Sequence, residues 1–144
     1  MNRREILRIL DANLNRSREG LRVCEEVVRF VLQDKALTAR LKKLRHAVSH
    51  GIQKLPASYQ EIVAARDVRR DVGKKSSRLE HRRKDARGLF IANMERAKES
   101  LRVLEEISKL IDVPASVFFK KMRFGTYAIE HESLRRLETL RDHR

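Results

Sequence analysis

Apolar residues recur at intervals of three, four and seven along most of this chain. From residue 2 to 34 the set Leu10, Leu14, Leu21, Val28 and Val31 keeps that rhythm, which predicts one long helix. Asp34 stands where a cap would separate it from a second helix. That helix is marked by Leu37, Leu41, Leu44, Val48 and Ile52 and ends before Pro56. Residues 57–87 lose the period. A third helix is predicted from about Leu89 to Ile111, with Phe90, Met94, Leu101, Leu104 and Ile107 on its apolar face. Asp112 and Pro114 stop and restart the chain. Val117, Phe118, Met122, Ile129, Leu134 and Leu137 then mark a fourth helix.

The pattern occurs twice. Residues 12–26 read ANLNRSREGLRVCEE and residues 92–106 read ANMERAKESLRVLEE, identical at nine of fifteen positions. Each copy is followed by a basic signature, LKKLR at 41–45 and FKKMR at 119–123. The unit is therefore a helical hairpin: repeat A over 2–56, a connecting loop over 57–87, and repeat B over 88–143. Two such hairpins can bury their apolar faces on each other. The expected fold is an all-α, single-domain four-helix bundle with a pseudo-two-fold relation between its halves. A dimeric or domain-swapped assembly of hairpins is the alternative.

A helical wheel at about 100° per residue places two polar identities in the apolar sector. Asn13 falls among Leu14, Ser17 and Leu21, and Arg16 between Gly20 and Val23; Asn93 and Arg96 occupy the equivalent places. A polar group in a dry core needs partners. One reading is an interhelical network in which Arg16 bonds Glu19 or a carboxylate on another helix. The other is a cavity between the halves, in which arginine forks hold phosphate and asparagine amides read a heterocycle. Arg45 and Arg123, which end the two basic signatures, are expected to add charge at its mouth. Arg22, Glu25 and Glu26 are expected on the outer face, as an ordinary surface ladder.

The middle stretch, 64–84, holds nine Lys or Arg and the segment RDVRRDVG. A turn at Gly73 can present successive backbone N–H groups to an anion, with Lys74, Lys75, Ser76 and Ser77 following. Asp67 and Asp71 can hold Mg²⁺, which favours few carboxylates plus phosphate oxygens. The reading beside it is a charged surface linker. No Walker phosphate loop is present. His46, His50, His81, His131 and His143 lack metal-ligand spacing and read as surface or satisfied residues. Phe124 and Tyr127 are read as core, with a stacking face beside Arg123 as the alternative.

Composition narrows the partners. Lys and Arg number 34 against 20 acids, a net charge of +14, which draws anions such as phosphorylated metabolites or nucleic acid. The single Cys24 excludes an internal disulfide framework. No apolar run is long enough for a membrane span and the N-terminus has no apolar signal core, so a soluble, cytoplasmic protein is expected.

The ordered set DANLNRSREGLRVCEEVVRF, LKKLRH, ARDVRRDVG, ANMERAKESLRVLEE and KKMRFGTY resembles a helical family of thiamine biosynthesis over roughly residues 5–137. That family is assigned as hydroxymethylpyrimidine phosphate kinases and also occurs fused ahead of some thiamine phosphate synthases; the synthase barrel is not matched here. The resemblance implies ATP and Mg²⁺ as cofactors and phosphoryl transfer to hydroxymethylpyrimidine phosphate. It implies that Asn13 and Asn93 read the pyrimidine, that Arg16, Arg96, Arg45, Arg123, Arg66 and Gly73 hold substrate, and that Asp67 and Asp71 are catalytic or metal-binding. The family's loop often continues after its glycine with Thr-Asp, where this chain has Lys74-Lys75. Two rivals stand beside this reading. One is a non-catalytic module that presents a phosphopyrimidine to a separate synthase. The other is a basic nucleic-acid binder, against which stand the lack of a recognition-helix motif and the scarcity of stacking aromatics. A homodimer is compatible with any of the three.

Overall fold

The computed structural model describes residues 1–75 and 82–142, all of its regular structure being helical. Ser76, Ser77, His81 and His143 lie outside the described residues. Helix α1 spans Arg3–Val27. Asn2 caps it: its side chain accepts from the Glu5 N–H while the Glu5 carboxylate accepts from the Asn2 N–H, a reciprocal capping box. The long first helix of the sequence reading is interrupted at its end. Val28–Leu32 form a π-helical turn, and Gln33 closes it in the left-handed region at φ 52°. Asp34 then caps α2, Lys35–Lys54, accepting from the Leu37 N–H at 2.9 Å. Leu55 is extended, as the residue before a proline prefers to be.

The stretch expected to be irregular contains a short helix, α3, Tyr59–Ala64, capped by Ser58. It is seated by Ile62 and Ala65, which are buried. Helix α4, Ala86–Ser108, begins three residues earlier than the apolar period indicates, because Asp85 caps it through the Gly88 N–H. Helix α5 runs from Val113 to Asp142. Its buried face is carried by Ala115, Phe119, Thr126, Ile129, Ser133 and Leu137. Val117, expected to face inward, is exposed, because small and hydroxylated residues hold the inward register instead.

The four long helices close a ring in the order α1, α2, α5, α4. Contacts at every seam run antiparallel. Cys24 meets Phe90, and Gly20 meets Asn93, between α1 and α4. Lys98 meets Glu130, and Arg87 meets Glu138, between α4 and α5. Arg40 meets Glu132 between α2 and α5. The core is a single cluster through the ring, with Leu10, Leu21, Leu41, Phe90, Leu101 and Phe119 fully enclosed.

This geometry has a topological consequence. α2 and α4 point the same way, so the connector between them must travel the length of the bundle, roughly 35 Å for a 25-residue helix. It leaves the end marked by Arg3, whose Nη2 donates to the Pro56 carbonyl at 2.7 Å. It arrives near Phe90, beside Cys24. Its described part lies over the seam between α1 and α4.

Candidate functional site

Gly20 sets how close that seam is. A Cβ there would sit 2.6 Å from the Asn93 carbonyl, so α1 and α4 approach through bare backbone. Beside this contact the connector lies over the seam. The result is a cavity of about 720 Å³, floored by Ile9, Ala12 and Val103 and walled by Arg66, Asp67 and Val68. A second cavity of about 530 Å³ adjoins it and shares Asn13, Arg16, Asp71 and Val103 with the first. Arg96, Lys74 and Gly73 line this second part.

Asn13 is buried, and its Nδ2 donates to the Ile9 carbonyl at 2.8 Å. That bond fixes the amide and leaves Oδ1 as an acceptor at the cavity wall. Asn93 makes the same bond to Leu89 at 2.9 Å, but neither cavity includes it. Arg16 and Arg96 line the same cavity, and both are exposed rather than buried in the apolar sector. Among the described residues no carboxylate takes either guanidinium, and Arg16 makes no bond to Glu19 or to a carboxylate on another helix. Lys74 also lacks a carboxylate; its Nζ donates to the Arg69 carbonyl at 3.3 Å. Three cations without an ion-pair partner among the described residues therefore line one concavity, beside the carboxylates of Asp71 and Glu99, and the excess of positive charge suits an anionic ligand.

Arg45 and Arg123 are not at this mouth. Arg45 points to Glu25 at 3.4 Å, and Arg123 holds Glu105 at 3.0 Å. These are equivalent contacts in the two halves, joined by Arg22 on Glu25 and Arg102 on Glu105. Glu25 and Glu105 are buried, contrary to the outer-face placement expected for Glu25. The wheel sees one helix at a time, whereas α2 and α5 cover these positions from the side. Burial alone would raise the Glu105 carboxyl, yet the hydrogen bonds from Arg123 and Arg102 hold it below the usual range. Glu26 and Glu106 do sit on the outer ladder, paired with Arg22 and Arg102. Phe124 and Tyr127 are exposed rather than core, stacked on the Arg123 guanidinium at 5.0 and 6.0 Å.

The connector also departs from expectation. Gly73 does not adopt a positive φ, and its N–H is taken by Asp71 Oδ1 at 2.8 Å. The Lys74 N–H is turned on the Asp71 carbonyl at 3.4 Å. These amides are thus spent within the loop, and the anion-facing group of this segment is the Lys74 side chain. Asp71 lines both cavities, and its Oδ2 has no partner among the described residues. Asp67 Oδ1 accepts from the Arg70 N–H at 3.2 Å and the carboxylate lines the larger cavity. Arg66 has its fork engaged: Nε and Nη2 donate to the two oxygens of Asp11, each at 2.7 Å. That bidentate contact raises the Arg66 pKa. Asp11 was missed at the sequence level. Its signal is an asymmetry, since the position equivalent to Asp11 in the second copy is Ile91.

His46, His50 and His131 are exposed. Among the described residues no group of three or more His, Cys, Asp or Glu side chains is arranged to hold a metal, and no helix is long and apolar enough to cross a membrane.

The family model described as the ThiD2 family matches residues 8–138 of this sequence. The chain belongs to the ThiD2 family. Every residue of the cavity except Glu5 lies within the ThiD2 match. Among its relatives, a protein named thiamine-phosphate synthase from Synechocystis sp. is 44% identical over 126 residues, covering 87% of this chain and 35% of that protein. One of the same name from Thermosynechococcus vestitus is 41% identical, over 85% of this chain and 34% of the relative. The Rhodopirellula baltica protein of that name is 37% identical, over 90% and 34%. The ThiD2 chain thus spans about a third of the length of these curated relatives. No solved structure matches it.

Proposed function

We propose that this ThiD2 chain is a kinase of thiamine biosynthesis that transfers the γ-phosphoryl group of ATP to hydroxymethylpyrimidine phosphate. The observation that carries the reading is the convergence of Arg16, Arg96 and Lys74, none paired with a carboxylate among the described residues, on a cavity that also carries Asp71 and Glu99 and presents the Oδ1 of Asn13. In the transfer, an oxygen of the substrate phosphate attacks the γ-phosphorus. The bond to the β-phosphate oxygen breaks, ADP leaves, and the product is the pyrimidine diphosphate. Such chemistry needs chiefly alignment and neutralised charge. Asn13 Oδ1 accepts from the amino group of the pyrimidine. Arg16, Arg96 and Lys74 hold phosphates. Asp71, through its Oδ2, and Asp67 would hold Mg²⁺, which supplies further charge neutralisation. Two carboxylates suit that ion, because phosphate oxygens and water complete its shell. Asn93, Arg45 and Arg123 have no part in this site. Arg66 serves it from the wall.

A second reading is that the chain captures the phosphopyrimidine and presents it to a separate synthase. It is favoured by the relatives' names and by their extra length, which places a similar segment in one polypeptide with the rest of each relative. Calorimetry with hydroxymethylpyrimidine phosphate, with and without Mg-ATP, followed by phosphorus NMR, separates the two. Binding with a new diphosphate signal supports the kinase. Binding without turnover supports the carrier. Absence of binding overturns both.

A further inference from the structure

The connector segment 66–75 has little to hold it down. Val68 and Val72 are exposed, and no residue of the segment belongs to the core. Its backbone turns are internal: the N–H groups of Arg70, Asp71, Gly73 and Lys74 all bond within the segment. Beyond its junction with α3, its polar ties among the described residues are to two residues of α1. Arg8 Nη2 reaches the Asp67 carbonyl at 3.5 Å, a long contact. The other is the fork of Arg66 on Asp11, with both bonds at 2.7 Å.

Asp11 is 6% exposed and sits on the inner side of α1, one turn before Asn15 and Arg16. Its Oδ1 also accepts from Asn15 Nδ2 at 3.3 Å, which helps to fix the carboxylate. A bidentate arginine contact sets direction as well as distance. It therefore fixes the exit of the chain from α3 at one point above the α1–α4 seam. From there five residues lead to Asp71, which lines both parts of the cavity, and three more to Lys74.

We infer that Asp11 is a positioning residue: its clamp on Arg66 holds the connector across the seam, so that Asp71 and Lys74 complete the cation-lined cavity with Arg16 and Arg96. Ile91 offers no such clamp in the second copy, so the roof forms over one end of the seam only. The inference rests on the proposal that this cavity binds a phosphorylated ligand.

The test is Asp11→Ile, which installs the side chain of the equivalent position, alongside Asp11→Asn, which keeps the shape but removes the charge and turns one of the two acceptor oxygens into a donor, so that the fork can no longer form. Amide hydrogen exchange over residues 67–75 reads the clamp without any ligand. Calorimetry with inorganic pyrophosphate reads the cavity. In both variants helix content is retained, the loop amides exchange faster, and pyrophosphate binds about tenfold more weakly or worse, a loss of about 1.4 kcal/mol. In the Lys74→Ala background the same substitutions cost much less affinity, because the side chain they misplace is already gone. A merely structural Asp11 would give additive losses. Should Asp11→Ile fail to fold, Asp11→Asn carries the experiment. Unchanged loop exchange overturns the clamp. Faster exchange with undiminished pyrophosphate affinity overturns its positioning role. A wild-type chain that binds no pyrophosphate overturns the role in the cavity and counts against the kinase reading, while the exchange data still decide whether Asp11 clamps the loop.

Discussion

Arg123 grips Glu105 through both Nε and Nη2, each 3.0 Å from the same carboxylate oxygen, with Glu105 almost wholly enclosed between α4 and α5. The contact ties the last turn of α4 to the third turn of α5. Because the folded carboxyl titrates below its ordinary range, the stabilisation is present above the unfolded value of about 4.3 and is lost as pH falls through the folded value. Acid unfolding followed by circular dichroism should show a steep limb below about pH 4.5 that Glu105→Gln flattens. Arg123→Met should destabilise by about 3 kcal/mol, because the carboxylate stays buried with one cation fewer.

Arg16→Met and Arg96→Met should behave in the opposite way. Both guanidiniums are exposed and without a carboxylate partner among the described residues, so thermal stability should stay within about 0.5 kcal/mol of wild type. Hydroxymethylpyrimidine phosphate binding should fall at least tenfold for each, about 1.4 kcal/mol. Loss of folding with unchanged affinity in the folded fraction would remove both residues from the proposed site.

Gly20→Ala should be costly. Its methyl group meets the Asn93 carbonyl at 2.6 Å and the Ala97 N at 3.3 Å, and backbone cannot step aside as a side chain can. Denaturant titration should show a loss of about 1–3 kcal/mol. Gly73→Ala is the control: its Cβ would have Asp71 Oδ1 as nearest neighbour, at 3.4 Å, and φ there is not positive. It should be close to neutral.

Cys24 is fully enclosed, and burial, with a smaller contribution from Glu130, pushes its thiol far up from the ordinary range. The native protein should resist iodoacetamide at neutral pH. Mass spectrometry should find one adduct only after denaturant is added. Rapid native labelling would show that the α1–α4 seam opens readily.

The helices were legible because their apolar period is long and uninterrupted. Asp34 was legible because a cap is a local event, with its partner three residues away at Leu37. Arg16 and Arg96 were legible as candidates for one site because the repeat puts them at equivalent positions, and they line one cavity because those positions lie near the crossing of the antiparallel α1 and α4, whereas Asn13 and Asn93 lie further from it. Other features depend on distance in sequence. Asp11 finds Arg66 fifty-five residues away. Glu25 and Glu105 are covered by Arg45 and Arg123, twenty and eighteen residues further on, in helices whose lateral position no single wheel contains. Six residues of helix, Tyr59–Ala64, are too few for a period to show.

The path of the connector bears on why the two hairpins share one polypeptide. Two separate molecules of a single hairpin would carry the same side chain at each corresponding place, and any roof would have to serve both ends of the seam or neither. Covalent fusion lifts that restriction. It lets one copy keep a carboxylate at position 11 while the other holds isoleucine at 91, and it supplies a strand of chain long enough to lie across one opening. The linkage that joins the halves thereby also makes them unequal, and a bundle built from a repeated sequence acquires a front and a back.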